Sequence, residues 1–279
     1  MTATPFEIAR ASPLTPLLYD TPHSGRFYPR DFVLGAPLGE VRRGEDAYVD
    51  ELLAAAPGVG ATLLAATFPR CYIDLNRDEA DIDAGLLAEP WPEPLAPTEK
   101  TARGLGLIRR FVVPGVEAQG QKLTVRDVRA RIRDVYRPYH AALDSLVREL
   151  RERFGSVWHV NWHSMKSTGN AMTPDGPGAA RPDFVVSDRF GESASSRVTG
   201  LIVETLRGAG HTVSVNQPYS GGTIIRRTGR PEQNVHSVQI EINRALYLDE
   251  AAVAITAGAP ALAATLEALT RVLAAAARG

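Results

Sequence analysis

A long amphipathic helical pattern, followed directly by a strand pattern, constrains the fold of this chain more than any other feature. Thr124 and Asp127 match a capping box at the start of the helical pattern, and Gly155 follows its end. Pro138 lies inside the pattern and predicts a kink or a split. Apolar residues recur at three- and four-residue steps, as in a helix with one buried face, at Val128, Ile132, Val135, Tyr139, Leu143, Leu146 and Leu150. We therefore predict a helix over residues 124–154.

The run at 157–163 is too short, and too rich in strand-forming residues, to be a second helix directly after Gly155. As a strand it alternates between two faces. One face carries Trp158, Val160 and Trp162, and the other carries His159, Asn161 and His163.

The rest of the chain alternates in the same way between short apolar runs and helical patterns. We predict strands at 17–19, 61–65, 71–74, 184–186, 212–215 and 238–243, and helices at 47–56, 193–208 and 251–277. Strands that alternate with helices favour an α/β fold, with a central mixed, mostly parallel sheet flanked by helices. Because no internal repeat or linker is visible, we predict one domain over residues 1–279.

Residues 85–121 depart from this alternation. Four prolines lie close together at 90–97, and four glycines follow at 104–120. We predict a long irregular excursion that contains a short strand at 108–113. Long loops in compact domains are often functional lids, and a loose surface insertion is the alternative.

Composition excludes several classes of function. The 31 Lys and Arg residues nearly balance the 32 Asp and Glu residues, so the net charge of −1 gives no general attraction to nucleic acid or anionic membrane. Cys71 is the single cysteine, which excludes an intramolecular disulfide and a Cys-rich zinc site. The first 20 residues lack a signal-peptide pattern, and no apolar run approaches the ~20 residues that span a bilayer. We therefore expect a cytoplasmic protein without membrane or nucleic-acid partners.

Two histidines follow or end predicted strands. His23 comes just after the strand at 17–19, and His163 ends the strand at 157–163. Sites in open α/β sheets gather at the carboxyl ends of strands, and imidazole is a common zinc ligand. Alternatively, both histidines are structural. His159 lies roughly 13 Å from His163 along a strand, too far to share one ion, so we assign it a structural role.

A catalytic zinc usually needs a third protein ligand. Glu45 and Asp46 supply carboxylates just before a predicted helix, and either could complete the site. The alternative role for Asp46 is to cap that helix.

Further polar residues lie at places where they could serve a reaction. Glu241 lies on the polar face of an otherwise apolar strand, where a carboxylate is unusual, and suits a general base. Its alternative is a surface residue on an edge strand. Asn76 and Arg77 follow another predicted strand, and a guanidinium can clamp a carboxylate through two hydrogen bonds. The loop at 219–223, which contains Gly222, and the nearby Arg226 form a second candidate for anion binding, with a plain turn as the alternative.

Seven short motifs resemble the N-formylglutamate amidohydrolase family in sequence order, over roughly residues 17–250. They lie at 20–25 (DTPHSG), 48–52 (YVDEL), 73–77 (IDLNR), 161–165 (NWHSM), 182–184 (PDF), 219–222 (YSGG) and 239–244 (QIEINR). That family is distantly similar to zinc carboxypeptidases and to aspartoacylase-type deacylases. The resemblance implies a zinc-carboxypeptidase-like fold with one zinc ion per chain.

The resemblance also implies roles for individual residues. His23 matches the early histidine ligand of these enzymes, His163 the later one, and Glu241 the catalytic glutamate. Asn76 and Arg77 match the pair that binds the substrate carboxylate. The related enzymes place a carboxylate ligand three residues after the first histidine, where this chain has Arg26. We therefore assign Asp46 as the third metal ligand, with Glu45 as the alternative.

These assignments predict zinc-dependent hydrolysis of a small acyl-amino acid, with N-formyl-L-glutamate giving formate and glutamate. Arg226 is the candidate for the second carboxylate of glutamate, and Gly222 belongs to the same substrate loop. The alternatives are a deacylase for another acyl-amino acid, a carboxypeptidase-like peptidase, a metal-free hydrolase, and a binding module without catalysis. The sequence leaves homo-oligomer formation open.

Overall fold

The computed structural model describes residues 4–279, and strands occupy its centre. In chain order the strands are β1 (Phe6–Ala9), β2 (Leu17–Thr21), β3 (Ala61–Ala66), β4 (Phe111–Val113), β5 (Val116–Glu117), β6 (Val157–Met165), β7 (Phe184–Ser187), β8 (Val213–Val215), β9 (Val235–Asn243), β10 (Leu248–Asp249) and β11 (Ala254–Ile255). Seven of them form one sheet in the order β1-β3-β2-β6-β9-β7-β8. β4 with β5, and β10 with β11, form two small two-stranded sheets.

The central sheet is mixed and mostly parallel, as predicted. Strands β3, β2, β6 and β9 run in the same direction. β1 is antiparallel to β3, and β7 is antiparallel to β9 but parallel to β8. The two longest strands, β6 and β9, lie side by side at the centre. The four parallel strands therefore point their carboxyl ends toward one edge of the sheet.

Helices cover both faces of this sheet. They are α1 (Leu38–Arg42), α2 (Val49–Leu52), α3 (Ala56–Val59), α4 (Glu99–Ala102), α5 (Val125–Arg131), α6 (Arg137–Phe154), α7 (Ser196–Gly208), α8 (Thr223–Thr228) and α9 (Ala259–Ala276). On one face α2, α3, α7 and α9 pack over Tyr19, Trp158 and Trp162. On the other, α5, α6 and the excursion pack over Leu18 and Leu64. The first apolar core lies under α2, α3, α7 and α9, and the second lies under α5, α6 and the excursion. The sheet of this single α/β domain is therefore buried on both faces.

The helix predicted at 124–154 is present, and it is split near Pro138 as expected. A π-helical segment, Ile132–Tyr136, separates α5 from α6, and Pro138 lies in the first turn of α6. Proline cannot donate a backbone hydrogen bond to the preceding turn, which accounts for the irregular winding there. The predicted capping box forms, with Thr124 and Asp127 bonding reciprocally.

The strand predicted at 71–74 is wrong. The backbone turns there, because the N–H groups of Tyr72 and Ile73 both donate to the carbonyl of Pro69. The N–H of Asp74 donates to Leu107 in the excursion. The apolar run is buried in the second core, so burial rather than strand pairing explains its composition.

The excursion at 85–121 packs against the body of the protein. The segment does not form a loose surface insertion, because it buries four apolar side chains in the second core: Leu86, Leu107, Ile108 and Val112. Its strand is shorter than predicted, since β4 spans Phe111–Val113 and pairs only with β5.

Helix α9 is the one helix in residues 4–279 that is long and apolar enough to cross a membrane by length and composition. It contacts α2, α3 and α7, and Leu262, Leu266, Leu269 and Leu273 are buried in the first core. Such packing is typical of a core helix in a globular domain.

Candidate active site

Three buried side chains meet at the carboxyl edge of β2 and β6. His23 lies two residues after β2, His163 lies on β6, and Asp46 precedes α2. The two Nδ1 atoms are 2.9 Å apart, and Asp46 Oδ2 lies 3.2 Å from Nδ1 of His23 and 3.0 Å from Nδ1 of His163. The backbone N–H of Asp46 donates to the carbonyl of His23, which holds the two loops together.

The outer nitrogens of both rings have acceptors. Nε2 of His23 is 2.7 Å from a carboxylate oxygen of Asp74. Nε2 of His163 is 2.7 Å from Oδ1 of Asn161, and the amide nitrogen of Asn161 donates to Asp20, which fixes the orientation of that amide. Ionised carboxylates and amide oxygens only accept, so these short contacts favour a proton at Nε2 of each ring. The amide nitrogen of Asn76 also approaches Nε2 of His163, at the longer distance of 3.1 Å.

When both rings are neutral, the three atoms that face one another therefore carry no proton. They are Nδ1 of His23, Nδ1 of His163 and Oδ2 of Asp46. Two imidazole lone pairs and one carboxylate oxygen face one another, and such acceptors repel unless a cation lies between them. Ligands at ~2.0–2.1 Å from a tetrahedral zinc ion would be about 3.3 Å apart, close to the separations found here. The group of His23, Asp46 and His163 can thus hold a metal ion.

Arginines surround the carboxylate of Asp46. Its Oδ1 accepts from Arg70 and from Arg244, at 3.2 Å in each case. Burial opposes ionisation of Asp46, but the charge of Arg70 is the strongest of the opposing effects, and the pKa of Asp46 lies well below its usual range. Asp46 is therefore ionised, as a metal ligand must be.

Glu45, the alternative third ligand, faces away from the histidines. Its carboxylate accepts from the hydroxyl of Tyr28 at 2.6 Å and from Arg42. The helix-cap role for Asp46 is also wrong, since α2 has Tyr48 at its N-cap and no side-chain cap bond. The structure places Asp46, and not Glu45, with the histidines.

Glu241 lies on β9 directly opposite His163 on β6. The strand is central in the sheet, so the edge-strand alternative for Glu241 is wrong. Burial raises the pKa of Glu241 above its usual range, and the negative charge of nearby Asp46 acts in the same direction. Gln239 donates to Oε1 of Glu241 at 3.0 Å. A buried carboxylate with a raised pKa beside a metal-binding group is suited to moving a proton.

A cavity of about 260 Å³ opens in front of these groups. Among residues 4–279, Glu241 supplies the one carboxylate in its lining. The cationic residues of the lining are Arg43, Arg70, Arg77, Lys100, Arg103, Arg109, Lys166, Arg181 and Arg244. Positive charge is thus concentrated in this cavity, although the chain as a whole has a net charge of −1.

Comparison with known proteins assigns the chain to a family. The family model for N-formylglutamate amidohydrolase matches residues 15–248. The chain belongs to this family. A crystal structure of N-formylglutamate amidohydrolase from Ralstonia eutropha JMP134 is 44% identical, with a TM-score of 0.92 and 99% of both chains covered. The predicted family is confirmed.

More distant relatives agree in sequence or in fold. N-formylglutamate deformylase from Pseudomonas putida is 28% identical over 84% of this chain and 82% of its own length. The deformylase from Pseudomonas aeruginosa is 29% identical over 85% and 84%. A gene product of Agrobacterium tumefaciens shares the fold, with a TM-score of 0.68, 20% identity and coverage of 98% and 96%.

Asn76 and Gly222, two of the residues predicted to bind substrate, contact each other at the cavity wall. The Asn76 amide accepts from the N–H of Ile224 at 2.8 Å and donates to Gln239 at 3.3 Å. Gln239 in turn accepts from the N–H of Gly222 at 2.8 Å. These bonds fix both residues in the cavity wall.

Replacing Gly222 with alanine tests this packing. A Cβ atom at position 222 would lie 2.3–2.5 Å from the Asn76 amide, so that side chain would have to move. We expect overpacking of this kind to lower the free energy of unfolding by about 1–3 kcal/mol. Urea denaturation measures the change, and Gly200→Ala, on an open face of α7, is the matched control. Equal stability of the two variants would contradict the close contact.

Arg77 lies in the cavity wall beside Asn76, but Arg226 lies elsewhere. Arg77 is buried and donates to the carbonyls of Leu105 and Asn76. Arg226 is exposed, pairs with Asp78 at 2.6 Å and is absent from the cavity lining. The structure therefore does not bring Arg226 to the other site residues, since α8 directs it to the surface salt bridge.

Sequence reasoning missed two residues that hold the metal-binding group. Asp74 accepts from His23, and Arg70 bridges Asp74 and Asp46. Asp74 lies inside the motif at 73–77, two residues before Asn76, and that position was the available signal. Arg70 lies outside all seven motifs.

Other reactive side chains have structural partners. His159 contacts Asp20 at 2.9 Å and Ser237 at 2.7 Å, which matches the structural role predicted for it. Burial raises the pKa of Cys71 to about 11, so its thiol stays protonated near neutral pH. Ser24 donates to the carbonyl of Asp46. None of these geometries favours a metal-free hydrolase.

Proposed function

We propose that this protein is a zinc-dependent amidohydrolase that cleaves N-formyl-L-glutamate into formate and glutamate. The observation that carries the proposal is the convergence of His23, Asp46 and His163 beside Glu241 in a cationic cavity. Relatives named N-formylglutamate amidohydrolase and N-formylglutamate deformylase support the substrate.

The three residues would hold one zinc ion through two imidazole nitrogens and one carboxylate oxygen. This ligand set leaves a coordination position for water or substrate, as in catalytic zinc sites. A bound zinc ion polarises a carbonyl group and makes water more acidic. The hydrogen bonds from Nε2 of His23 and His163 orient the rings for this task.

Glu241 would carry the proton transfers. As the ionised form it takes a proton from the attacking water, whose oxygen forms a bond to the formyl carbon. The C–N bond then breaks, and Glu241 delivers the proton to the departing amine. Burial raises its pKa toward the range where one group can serve as base and then acid.

The cationic wall would hold the glutamate half of the substrate. Arg77 is the predicted clamp for a carboxylate, and its guanidinium is buried at the cavity. Fixing the glutamate half places the formyl group against Glu241 and the metal-binding residues, which lowers the entropic cost of reaction.

A substrate panel tests the proposal directly. Purified protein loaded with zinc is given formyl-, acetyl- and succinyl-amino acids, and a short peptide of the kind that carboxypeptidases cleave. We expect formate release from N-formyl-L-glutamate at the highest kcat/KM. A higher kcat/KM on another acyl-amino acid, or on the peptide, would favour the deacylase or peptidase alternative. Binding without turnover of any substrate would favour a binding module.

Replacing Asp74 with asparagine tests the support of His23. The variant keeps the size of the side chain but removes the negative charge that accepts from His23 Nε2. We expect the affinity for zinc to fall by about 10- to 100-fold, as for other such partners of metal ligands. Competition with a chelator measures it, and Asp134→Asn at a surface ion pair is the control. Unchanged affinity in Asp74→Asn would contradict the role.

A further inference from the structure

Three cations that line the cavity have no anionic partner. Among residues 4–279, no carboxylate oxygen lies within 4 Å of the charged group of Arg77, Lys100 or Lys166. Two of the three, Arg77 and Lys100, are joined through Leu105. Most cavity arginines differ in this respect. Arg70 and Arg109 pair with Asp74, Arg181 pairs with Asp175, and Arg244 pairs with Asp46. A buried guanidinium without a counter-ion is costly unless a ligand supplies the charge.

The excursion brings Lys100 to Arg77 through backbone hydrogen bonds. The carbonyl of Lys100 accepts from the N–H of Leu105 at 2.8 Å, and the carbonyl of Leu105 accepts from Nε of Arg77 at 2.7 Å. The segment that carries Lys100 therefore also orients the Arg77 guanidinium.

The short helix that carries Lys100 is fixed to the body of the protein. Asp81 accepts from the N–H and hydroxyl of Thr98 at 2.9 and 3.1 Å, and from the hydroxyl of Thr101. Thr101 is buried, whereas Lys100 beside it is exposed overall but reaches the cavity. The backbone that carries Lys100 is thus held in place before any ligand binds.

The two cations act on each other. The charge of Arg77 lowers the pKa of Lys100 to about 7, and partial desolvation of the ammonium group at the cavity acts in the same direction. Arg70 acts in the same direction, and Asp74 and Glu241 oppose it. An anion bound between Arg77 and Lys100 would relieve this repulsion.

We propose that Lys100 is a specificity-determining residue that binds, together with Arg77, one carboxylate of the glutamate half of the substrate. The inference rests on the proposed function. It gives the excursion a role, since this segment carries a substrate contact into the site. It also supplies a cation of the kind that was predicted at Arg226, which lies outside the cavity.

Replacing Lys100 and measuring the kinetics on three substrates tests the proposal. Lys100→Met is compared with wild type on N-formyl-L-glutamate, N-formyl-L-glutamine and N-formyl-L-isoglutamine, the last two lacking one carboxylate each. We expect KM for formylglutamate to rise about 10-fold or more with little change in kcat, as when a charged hydrogen bond is lost. On the analogue without the carboxylate that Lys100 binds, the variant should lose nothing further.

Two control variants separate binding from folding. Lys122→Met removes an exposed lysine that lies just beyond the excursion and outside the cavity, and it should leave all three substrates unaffected. Lys100→Arg keeps the charge and should restore much of the affinity. The wild-type KM for formylglutamate should also rise above pH 7, as Lys100 loses its proton, and that rise should be absent in Lys100→Arg.

Binding of glutarate to the zinc-loaded protein, followed by calorimetry, gives a readout that does not depend on turnover. If wild type cleaves no formyl compound, the proposed function fails, yet weaker glutarate binding by Lys100→Met would still support the contact. An equal loss on all three substrates, or unchanged KM and unchanged glutarate binding in Lys100→Met, would overturn the proposal.

Discussion

Replacing Glu241 with glutamine is expected to lower kcat by about 10²- to 10⁴-fold while the zinc content stays the same. Glutamine keeps the shape of the side chain and its acceptor oxygen, so Gln239 can still donate to it. It cannot accept the proton of the attacking water. Because Glu241 is outside the metal-binding group, the three ligands remain intact.

Formate release and elemental analysis of the same preparation measure both halves of this expectation. Glu204→Gln, at an exposed position on α7, controls for the substitution itself. Turnover near the wild-type rate in Glu241→Gln would refute its role as the base. Loss of zinc together with activity would show instead that Glu241 supports the metal.

Replacing Asp46 with asparagine is expected to remove most of the bound zinc, and activity with it. The change removes the charge of one of the three proposed ligands, so the loss of affinity should exceed the 10- to 100-fold typical of residues that only support a ligand. The neighbouring Glu45→Gln is the matched control. Glu45 is equally buried but bonds Tyr28 and Arg42, so its variant should keep one zinc per chain.

Asp46 also pairs with Arg70 and Arg244, and its loss leaves these buried cations less compensated. Circular dichroism and thermal melting should therefore accompany the metal analysis. His163→Ala provides a second route, because it removes a ligand without touching either ion pair. If folded Asp46→Asn keeps its zinc while Glu45→Gln loses it, the assignment of the third ligand is wrong.

The sheet and its central strands could be predicted because their patterns are local. Alternation in β6 put His159, Asn161 and His163 on one face, and the strand rise separated His159 from His163. The apolar period and Pro138 were enough for the split helix. These features depend on neighbours within a few residues, which a single sequence contains.

The parts that failed depend on contacts between distant segments. Residues 71–74 have a strand-like composition, but their burial comes from the excursion and α5. Arg226 lies three residues after Thr223, the first residue of α8, and the direction of that helix places it on Asp78 at the surface. Nothing local indicates that Lys100, 23 residues after Arg77 in the chain, enters the same cavity.

The identity of the third proposed ligand could be predicted only in part. The sequence left Asp46 and Glu45 as neighbours in one loop, and only the packing of that loop selects one of them. Tyr28 and Arg42 engage Glu45, whereas Arg70 and Arg244 turn Asp46 toward the histidines. Adjacent residues of this loop face different directions, so only one of the two carboxylates faces the site.

Titration of metal-free protein with zinc, with formate release from N-formyl-L-glutamate measured at each step, tests the central claim most directly. Activity should rise in proportion to added zinc and level off at one zinc per chain, and His23→Ala should show neither tight binding nor activity. Full activity in the metal-free protein, or tight zinc binding that is unchanged in His23→Ala, would contradict a zinc site at His23, Asp46 and His163.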